Sequence, residues 1–390
     1  MRDGFRVLDC DLHVIESDVV WTEYLAPELR DRGPVPRSQG DSAWLRMQGR
    51  ALPAYADTPE RARAIAIRYT RPGFTDRLAE REEDDVHDLA HGTRAPTMLR
   101  AMDREGIDVA VCFRTFAAHA LAFDDLDGEV AAGVCRAFNR WLADVCADDP
   151  TRLKVAAQVP LHDVDAAVRE AVYAVEQLGA VTIVLPSHPV RERAAYHPDY
   201  EPVWAAAQAL GVPVSFHGIQ ASYTAGALSS RYHDNHVLGH VTGHPVELML
   251  TLGAVLTGGV AARHPSLRFA FLEGNCGWLP WWLHALDERW KEYGDRERFS
   301  QDALPSELFA AACFVSTDVD EPELPHVIDA LGDENIVVST DWPHDDSAFP
   351  HALDEFLSVP LSDAVRRKIL WDNCARLYRL SSPSSHREGT

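Results

Sequence analysis

Residues 153–186 read LKVAAQVPLHDVDAAVREAVYAVEQLGAVTIVLP. An apolar run (153–159) leads into a segment whose alanines and valines recur at helical spacing. A glycine closes that segment, and a second apolar run (180–186) follows. The period changes from strand to helix and back within one crossover length. That pattern predicts two parallel strands joined by a helix.

The same unit recurs on both sides. Apolar runs stand at VLDC (7–10), DVAVCF (108–113), VPVSFH (212–217), LRFAFLE (267–273), CFVST (313–317) and NIVVSTD (335–341). Helical patterns separate most of them, one running from about Gly128 to Ala147. With the first two runs this makes eight, each apolar nearly throughout, as strands covered on both faces must be. Eight strand–helix units predict an α/β (β/α)8 barrel over residues 1–380, with a doubly wound open sheet as the alternative. Residues 17–95 break the pattern and read as an insertion after strand 1 that caps the barrel mouth. The polar tail SSPSSHREGT (381–390) reads as disordered.

Composition narrows the class. A formal net charge of −23 argues against nucleic-acid and anionic-membrane partners, which need clustered Lys and Arg. No stretch is apolar enough to span a membrane, and the first residues lack a secretory apolar core. The seven cysteines are scattered, with no C-x-x-C pair. They read as reduced, buried thiols of a cytoplasmic protein.

Barrel active sites sit at the C-terminal ends of the strands. Asp11 and His13 are two residues apart on strand 1, so both side chains share one face. Strand 5 ends in His217, strand 6 in Glu273 and strand 8 in Asp341, followed by Trp342 and His344. Two imidazoles and two carboxylates, Asp11, His13, His217 and Asp341, suit one divalent metal. Zn2+ is the first expectation and Mn2+ or Fe2+ the alternatives. Glu273 is expected either in that set or orienting a member of it. Arg114, Gln158 and His188 end strands 2, 3 and 4. With His244, Trp278, Trp342 and His344 they are the candidates for contacting a small-molecule substrate, Arg114 and His188 for a carboxylate. WLPWW (278–282) reads mainly as helix packing and permits a homodimer face.

These stretches together carry a resemblance. DCDLHVIES, MDREGIDVAVCF, HPDYEPVWAAAQALGVPVSFHG, HPSLRFAFLEGNCGWLPWWLHALDE and VVSTDWPHDD resemble the amidohydrolase superfamily. The branch is the one that contains aminocarboxymuconate-semialdehyde decarboxylase and the aromatic-acid decarboxylases. The resemblance implies metal ligands at Asp11, His13 and His217, Asp11 standing where the first-strand pattern has a histidine. It implies a ligand and acid/base role for Asp341. Members that bridge two metals do so through a strand-4 lysine, and AVTIVLPSH has none, which implies a mononuclear site. The decarboxylases carry a histidine at the end of strand 6, where this chain has Glu273-Gly274-Asn275. Glu273 then takes over that proton-transfer role or joins the metal, or His240 or His244 reaches in from the next loop. The expected reaction is non-oxidative decarboxylation of a small carboxylic acid, aromatic acids included. Hydrolysis of an amide, ester or lactone by metal-activated water is the alternative. A non-catalytic binding barrel is the third reading, and the intact ligand set argues against it.

Overall fold

The computed structural model describes residues 1–36, 45–52, 87–88, 91–220, 223–232, 234–344 and 347–380. The 381–390 tail and most of the 17–95 insertion lie outside the described residues. Eight strands form one sheet in sequence order: β1 (Leu8–His13), β2 (Val109–Phe113), β3 (Leu153–Gln158), β4 (Thr182–Pro186), β5 (Val214–His217), β6 (Phe269–Leu272), β7 (Cys313–Thr317) and β8 (Ile336–Val338). Every neighbouring pair is parallel. β8 returns to β1 through the residues that follow it. The Ser339 hydroxyl donates to the Asp11 carbonyl (3.0 Å), and the His13 N–H donates to the Trp342 carbonyl (2.7 Å). The sheet is therefore a nearly closed (β/α)8 barrel.

Helices lie between the strands. They include α1 (Ala95–Glu105), α2 (Gly128–Cys146), α3 (Val164–Leu178), α4 (Glu201–Leu210), α5 (Glu247–Thr257), α6 (Leu279–Tyr293) and α7 (Leu324–Leu331). The 153–186 unit shows why the chain folds this way. Asp163 caps α3 by accepting the Ala166 N–H (2.8 Å), a contact worth about 1 kcal/mol. Ala166, Ala167, Ala171 and Ala174 form its buried face. Gly179, at φ +69°, ends it in the left-handed conformation that glycine adopts without penalty.

Inside the barrel, Leu8, Cys10, Val111, Phe113, Ala156, Val184, Ala270, Leu272, Phe314 and Val337 form one apolar cluster, joined by Trp371, Leu377 and Tyr378 of the C-terminal helices. A larger cluster fills the space between barrel and helices. All seven cysteines are buried and unpaired. Among the described residues no helix is long and apolar enough to cross a membrane. Within the insertion, Val20–Tyr24 packs against α2, where the Tyr24 hydroxyl donates to Asp144 (2.6 Å).

β1 contains an irregularity that the sequence pattern did not reveal. Leu8 and Asp9 pair with Val109 and Ala110, but Leu12 and His13 pair with Cys112 and Phe113. β1 thus spends one residue more than β2 over the same rise, which is a β-bulge. Leu8 and Cys10 point into the apolar interior below the bulge. Above it the parity flips, and Asp11 and His13 point inward instead. The bulge is where the core ends and the polar mouth begins.

Candidate metal centre

Three strand ends bring four groups together. Asp11, His13, His217 and Glu273 each place a ligand atom within 4.8 Å of the others. Asp11 and His13 are fully buried, and His217 nearly so. The His13 and His217 Nε2 atoms are 3.1 Å apart. Glu273 Oε2 lies 2.9 Å from His217 Nε2, and Asp11 Oδ2 lies 3.3 Å from it. Asp341 adds an oxygen 3.4 Å from His13 Nε2.

The hydrogen bonds behind these atoms decide what the cluster can hold. His13 Nδ1 faces the Arg114 carbonyl at 2.7 Å, and His217 Nδ1 faces the Gly218 carbonyl at 2.8 Å. A carbonyl only accepts, so each Nδ1 carries the proton. Both Nε2 lone pairs then point at each other and at carboxylate oxygens. Neither oxygen of the buried Asp11 carboxylate has a hydrogen-bond partner. So dense a set of acceptors needs a cation at its centre. Without one it settles on a proton. Burial pushes His13 down to about 4 and by itself would lower His217, but Asp11 and Glu273 raise His217 to about 10. Burial would raise Glu273, and His217 with His244 instead hold it well below the usual carboxylate range. A divalent ion relieves the same repulsion with twice the charge. The residues fit a metal.

Glu273 and Asp341 turn into the mouth through the left-handed region, at φ +60° and +55°, as does Asn275 at +56°. That conformation costs a non-glycine residue of order 1 kcal/mol or more and persists where the surroundings impose it. The Glu273 N–H is held by the Ser316 hydroxyl (3.0 Å). Beyond Asp341, His344 Nδ1 lies 2.7 Å from Asp341 Oδ1, and its Nε2 meets the Thr115 hydroxyl at 3.0 Å. Thr115 is fixed in turn by Glu16, whose buried carboxylate accepts the N–H groups of Thr115 (3.0 Å), Phe116 (2.7 Å) and Ala117 (2.8 Å). Glu16, only three residues past His13, orients the loop after β2 and takes no place in the cluster.

The other expected residues divide. His244 reaches the site: its Nε2 lies 3.3 Å from Glu273 Oε1. It can do so because Gly218 leaves room, since a Cβ there would lie 2.4 Å from the His244 ring. His240 stacks on His244 with ring centroids 4.1 Å apart. The Arg114 guanidinium is buried, and its Nε and Nη1 have no partner. Gln158 donates to the Ala117 carbonyl (3.1 Å), while its buried Oε1 has no partner. His188 donates to the Pro189 carbonyl (2.9 Å) and lines a cavity of about 110 Å³ between the barrel wall, α4 and α5, outside the metal cluster. Trp278 donates to the Gly274 carbonyl (2.7 Å), which pins the turn after Glu273. The Trp342 indole is buried in the core beside Phe349, and its backbone carbonyl accepts the His13 N–H.

Sequence reasoning missed His119, Thr115 and Asp318. His119 sits on the short helix Phe116–Ala120, with its buried Nδ1 unpartnered. Burial, with His244 and Arg114 nearby, pushes it down to about 3, so it stays neutral. Asp318 follows β7 and accepts from Asn275 (2.5 Å); burial, with Glu321, raises it to about 7. Asp318 at least could have been found by reading the end of every strand.

A parallel barrel with buried carboxylates and imidazoles converging at its C-terminal mouth defines a metal-dependent enzyme class. The comparisons specify it: the family model described as Amidohydrolase matches residues 8–380, and the chain belongs to that family. Among curated relatives, the gamma-resorcylate decarboxylase of Polaromonas sp. JS666 is 27% identical over 294 residues, covering 73% of this chain and 86% of that one. Among solved structures, the 5-carboxyvanillate decarboxylase of Sphingomonas paucimobilis superposes with a TM-score of 0.67 at 21% identity, over 97% of this chain and all of that one. The dihydroxybenzoic acid decarboxylase of Polaromonas sp. JS666, solved with manganese and 2-nitroresorcinol, has a TM-score of 0.66 at 20% identity, over 97% and 98%.

Proposed function

We propose that this protein is a metal-dependent decarboxylase of an aromatic carboxylic acid. The observation that carries the reading is the pair of Nε2 lone pairs of His13 and His217, 3.1 Å apart beside the Asp11 carboxylate, whose two oxygens have no hydrogen-bond partner among the described residues. The relatives support it: the curated relative acts, by its name, on gamma-resorcylate, and the dihydroxybenzoic acid decarboxylase was solved with manganese. Asp11, His13, His217 and Glu273 would hold the ion, with Asp341 at its edge. Three carboxylates and two imidazoles suit Mn2+ at least as well as the Zn2+ expected from the sequence. When bound, the ion would supply a Lewis acid that binds anionic substrate oxygens and fixes the ring beside Asp341.

The chain's own groups then move one proton. Asp341, protonated, gives its proton to the ring carbon that bears the carboxylate. The bond from that carbon to the carboxylate breaks, and its electron pair restores the aromatic ring. CO2 leaves, and each turnover consumes one proton. His344, braced by Thr115, holds Asp341 toward the cluster. General acid catalysis of this kind contributes typically about 10²–10⁴-fold.

Glu273 favours a second reading. A carboxylate beside His217 in place of the expected histidine suits hydrolysis of an amide, ester or lactone, with Asp341 accepting the proton of the attacking water. Both readings meet one experiment: Mn2+- and Zn2+-loaded protein offered a panel of hydroxybenzoic acids and a panel of aryl esters and lactones. CO2 release from any acid supports the first. Hydrolysis without CO2 release overturns it in favour of the second.

A further inference from the structure

A second concave space stands apart from the metal cluster. The cavity of about 110 Å³ lies between β4, β5, α4 and α5, and none of Asp11, His13, His217, Glu273 and Asp341 lines it. Phe216 turns its ring outward to this cavity, while His217, the next residue of β5, turns inward to the cluster. The wall is largely apolar. Tyr200 and Trp204 meet edge to face at 6.4 Å, Trp204 and Phe216 lie 6.3 Å apart, and Leu185, Leu250 and Ala254 add aliphatic surface. An apolar space of this order costs packing when empty and holds a single benzene-sized ring when filled.

Three polar groups break that wall. His188 Nδ1 donates to the Pro189 carbonyl (2.9 Å), which leaves its Nε2 as an acceptor, and burial lowers the ring's pKa, so it stays neutral. Arg193 Nη1 and Nη2 donate to Asp199 (3.1 Å) and the Leu161 carbonyl (3.3 Å), but its buried Nε has no partner among the described residues. Glu247 accepts the Leu228 N–H with one oxygen, and burial raises its carboxyl to about 7.

We propose that this cavity is a second small-molecule site, and that it takes a neutral ring bearing one hydroxyl, a phenol or a cyclic alcohol. The polar groups select the class. An acceptor at His188, a donor at Arg193 and a carboxyl at Glu247 call for a group that both donates and accepts, and a hydroxyl does both. A carboxylate only accepts, so it would leave His188 unserved and meet Glu247. An ammonium only donates, so it would meet Arg193. Either ion would also give up its hydration to an apolar wall. A ring without polar atoms would fill the space and leave the Arg193 Nε–H unpaired. Nothing in this site touches the ion or the reacting atoms, so it stands apart from the decarboxylase reading.

Calorimetric titration of the metal-loaded protein with phenol and toluene tests it, because the two are alike in shape and differ in the hydroxyl. Phenol should bind with a Kd of about 1 mM or tighter. It should bind about tenfold more tightly than toluene, the gain of one hydrogen bond to a charged group. Ala254→Leu grows from α5 into the cavity and should weaken both ligands about tenfold or more, with metal content at the wild-type level. Arg193→Met should bring phenol down to the level of toluene. Phenol that does not bind overturns the site, and toluene that binds as tightly as phenol overturns the class of ligand. Phenol affinity unchanged in Ala254→Leu also overturns the proposal, because the phenol would then sit at the metal mouth. If Ala254→Leu does not fold, Ala195→Leu fills the same cavity from the loop after β4, and the wild-type pair with Arg193→Met still decides. Binding needs no turnover, so the two readings fail separately. Phenol held in the cavity without CO2 release from any acid removes the decarboxylase reading and keeps this site. CO2 release without phenol binding does the reverse.

Discussion

The two halves of the barrel mouth solve opposite electrostatic problems. Strands β1, β5, β6 and β8 deliver Asp11, His13, His217, Glu273 and Asp341, an excess of acceptors that awaits a cation. Strands β2 and β3 deliver Arg114 and Gln158, and the helix after β2 delivers His119. Here the Nε and Nη1 of a buried cation have no acceptor among the described residues. Each half is unsatisfied alone, and they do not satisfy each other, because the acids nearest Arg114 are already engaged. The difference teaches that the two sides of the mouth carry buried charge of opposite sign, acceptor-rich on one side and donor-rich on the other.

The largest effect that could break this division is on the ion. His217→Ala should lower bound Mn or Zn below about a tenth of the wild-type content, measured by elemental mass spectrometry, since loss of one ligand costs more than the 10–100-fold of a supporting residue. Arg114→Met should leave metal content at the wild-type level. Equal loss in both variants would mean that the halves are one unit. Next in size, Asp341→Asn should cut kcat for CO2 release by roughly 10²–10⁴. A variant that keeps most of its rate would remove Asp341 from the proton step. Chelation comes third. An ion held at about 1,000 times its Kd stabilises the fold by ~4 kcal/mol, so removing it should lower Tm by several degrees in a calorimetric scan. An unchanged Tm would mean that the acceptor-rich half keeps itself folded on a proton alone.

Smaller still is Thr115→Val. It removes one hydrogen bond to His344, worth about 1 kcal/mol, so kcat should fall about fivefold while metal content holds. A loss of metal instead would show that Thr115 acts through His13, whose Nδ1 lies 3.4 Å from the same hydroxyl. Trp342→Phe should be the mildest. It deletes a buried indole N–H that has no partner among the described residues, and the relief offsets much of the lost packing, leaving a change within about 1 kcal/mol by denaturant titration.

The barrel itself was legible because its signal is local. The apolar runs and amphipathic segments carry their periods in consecutive residues, and LKVAAQV and AVTIVLP became β3 and β4 within a residue or two. The strand-end rule then turned eight positions into a candidate site, and Asp11, His13, His217 and Glu273 met as that rule requires. What the spacing left out was not local. The burial of the Trp342 ring beside Phe349 leaves no trace in the residues around it. His119 stands on a short helix away from any strand end, and only the packing of that helix against the mouth makes it part of the site.

Residue order alone therefore determined the fold class, the face that Asp11 and His13 share, and which strands could supply ligands, because these depend on spacing along one chain. Tertiary structure decided which way that face points. One extra residue in β1, visible only against β2, moves the inward parity from Leu8 and Cys10 to Asp11 and His13. It also decided that Glu273 faces His217 and that, among the described residues, no acceptor meets Arg114 Nε or Nη1. Such pairings depend on distances between strands hundreds of residues apart, and spacing along the chain does not encode those distances.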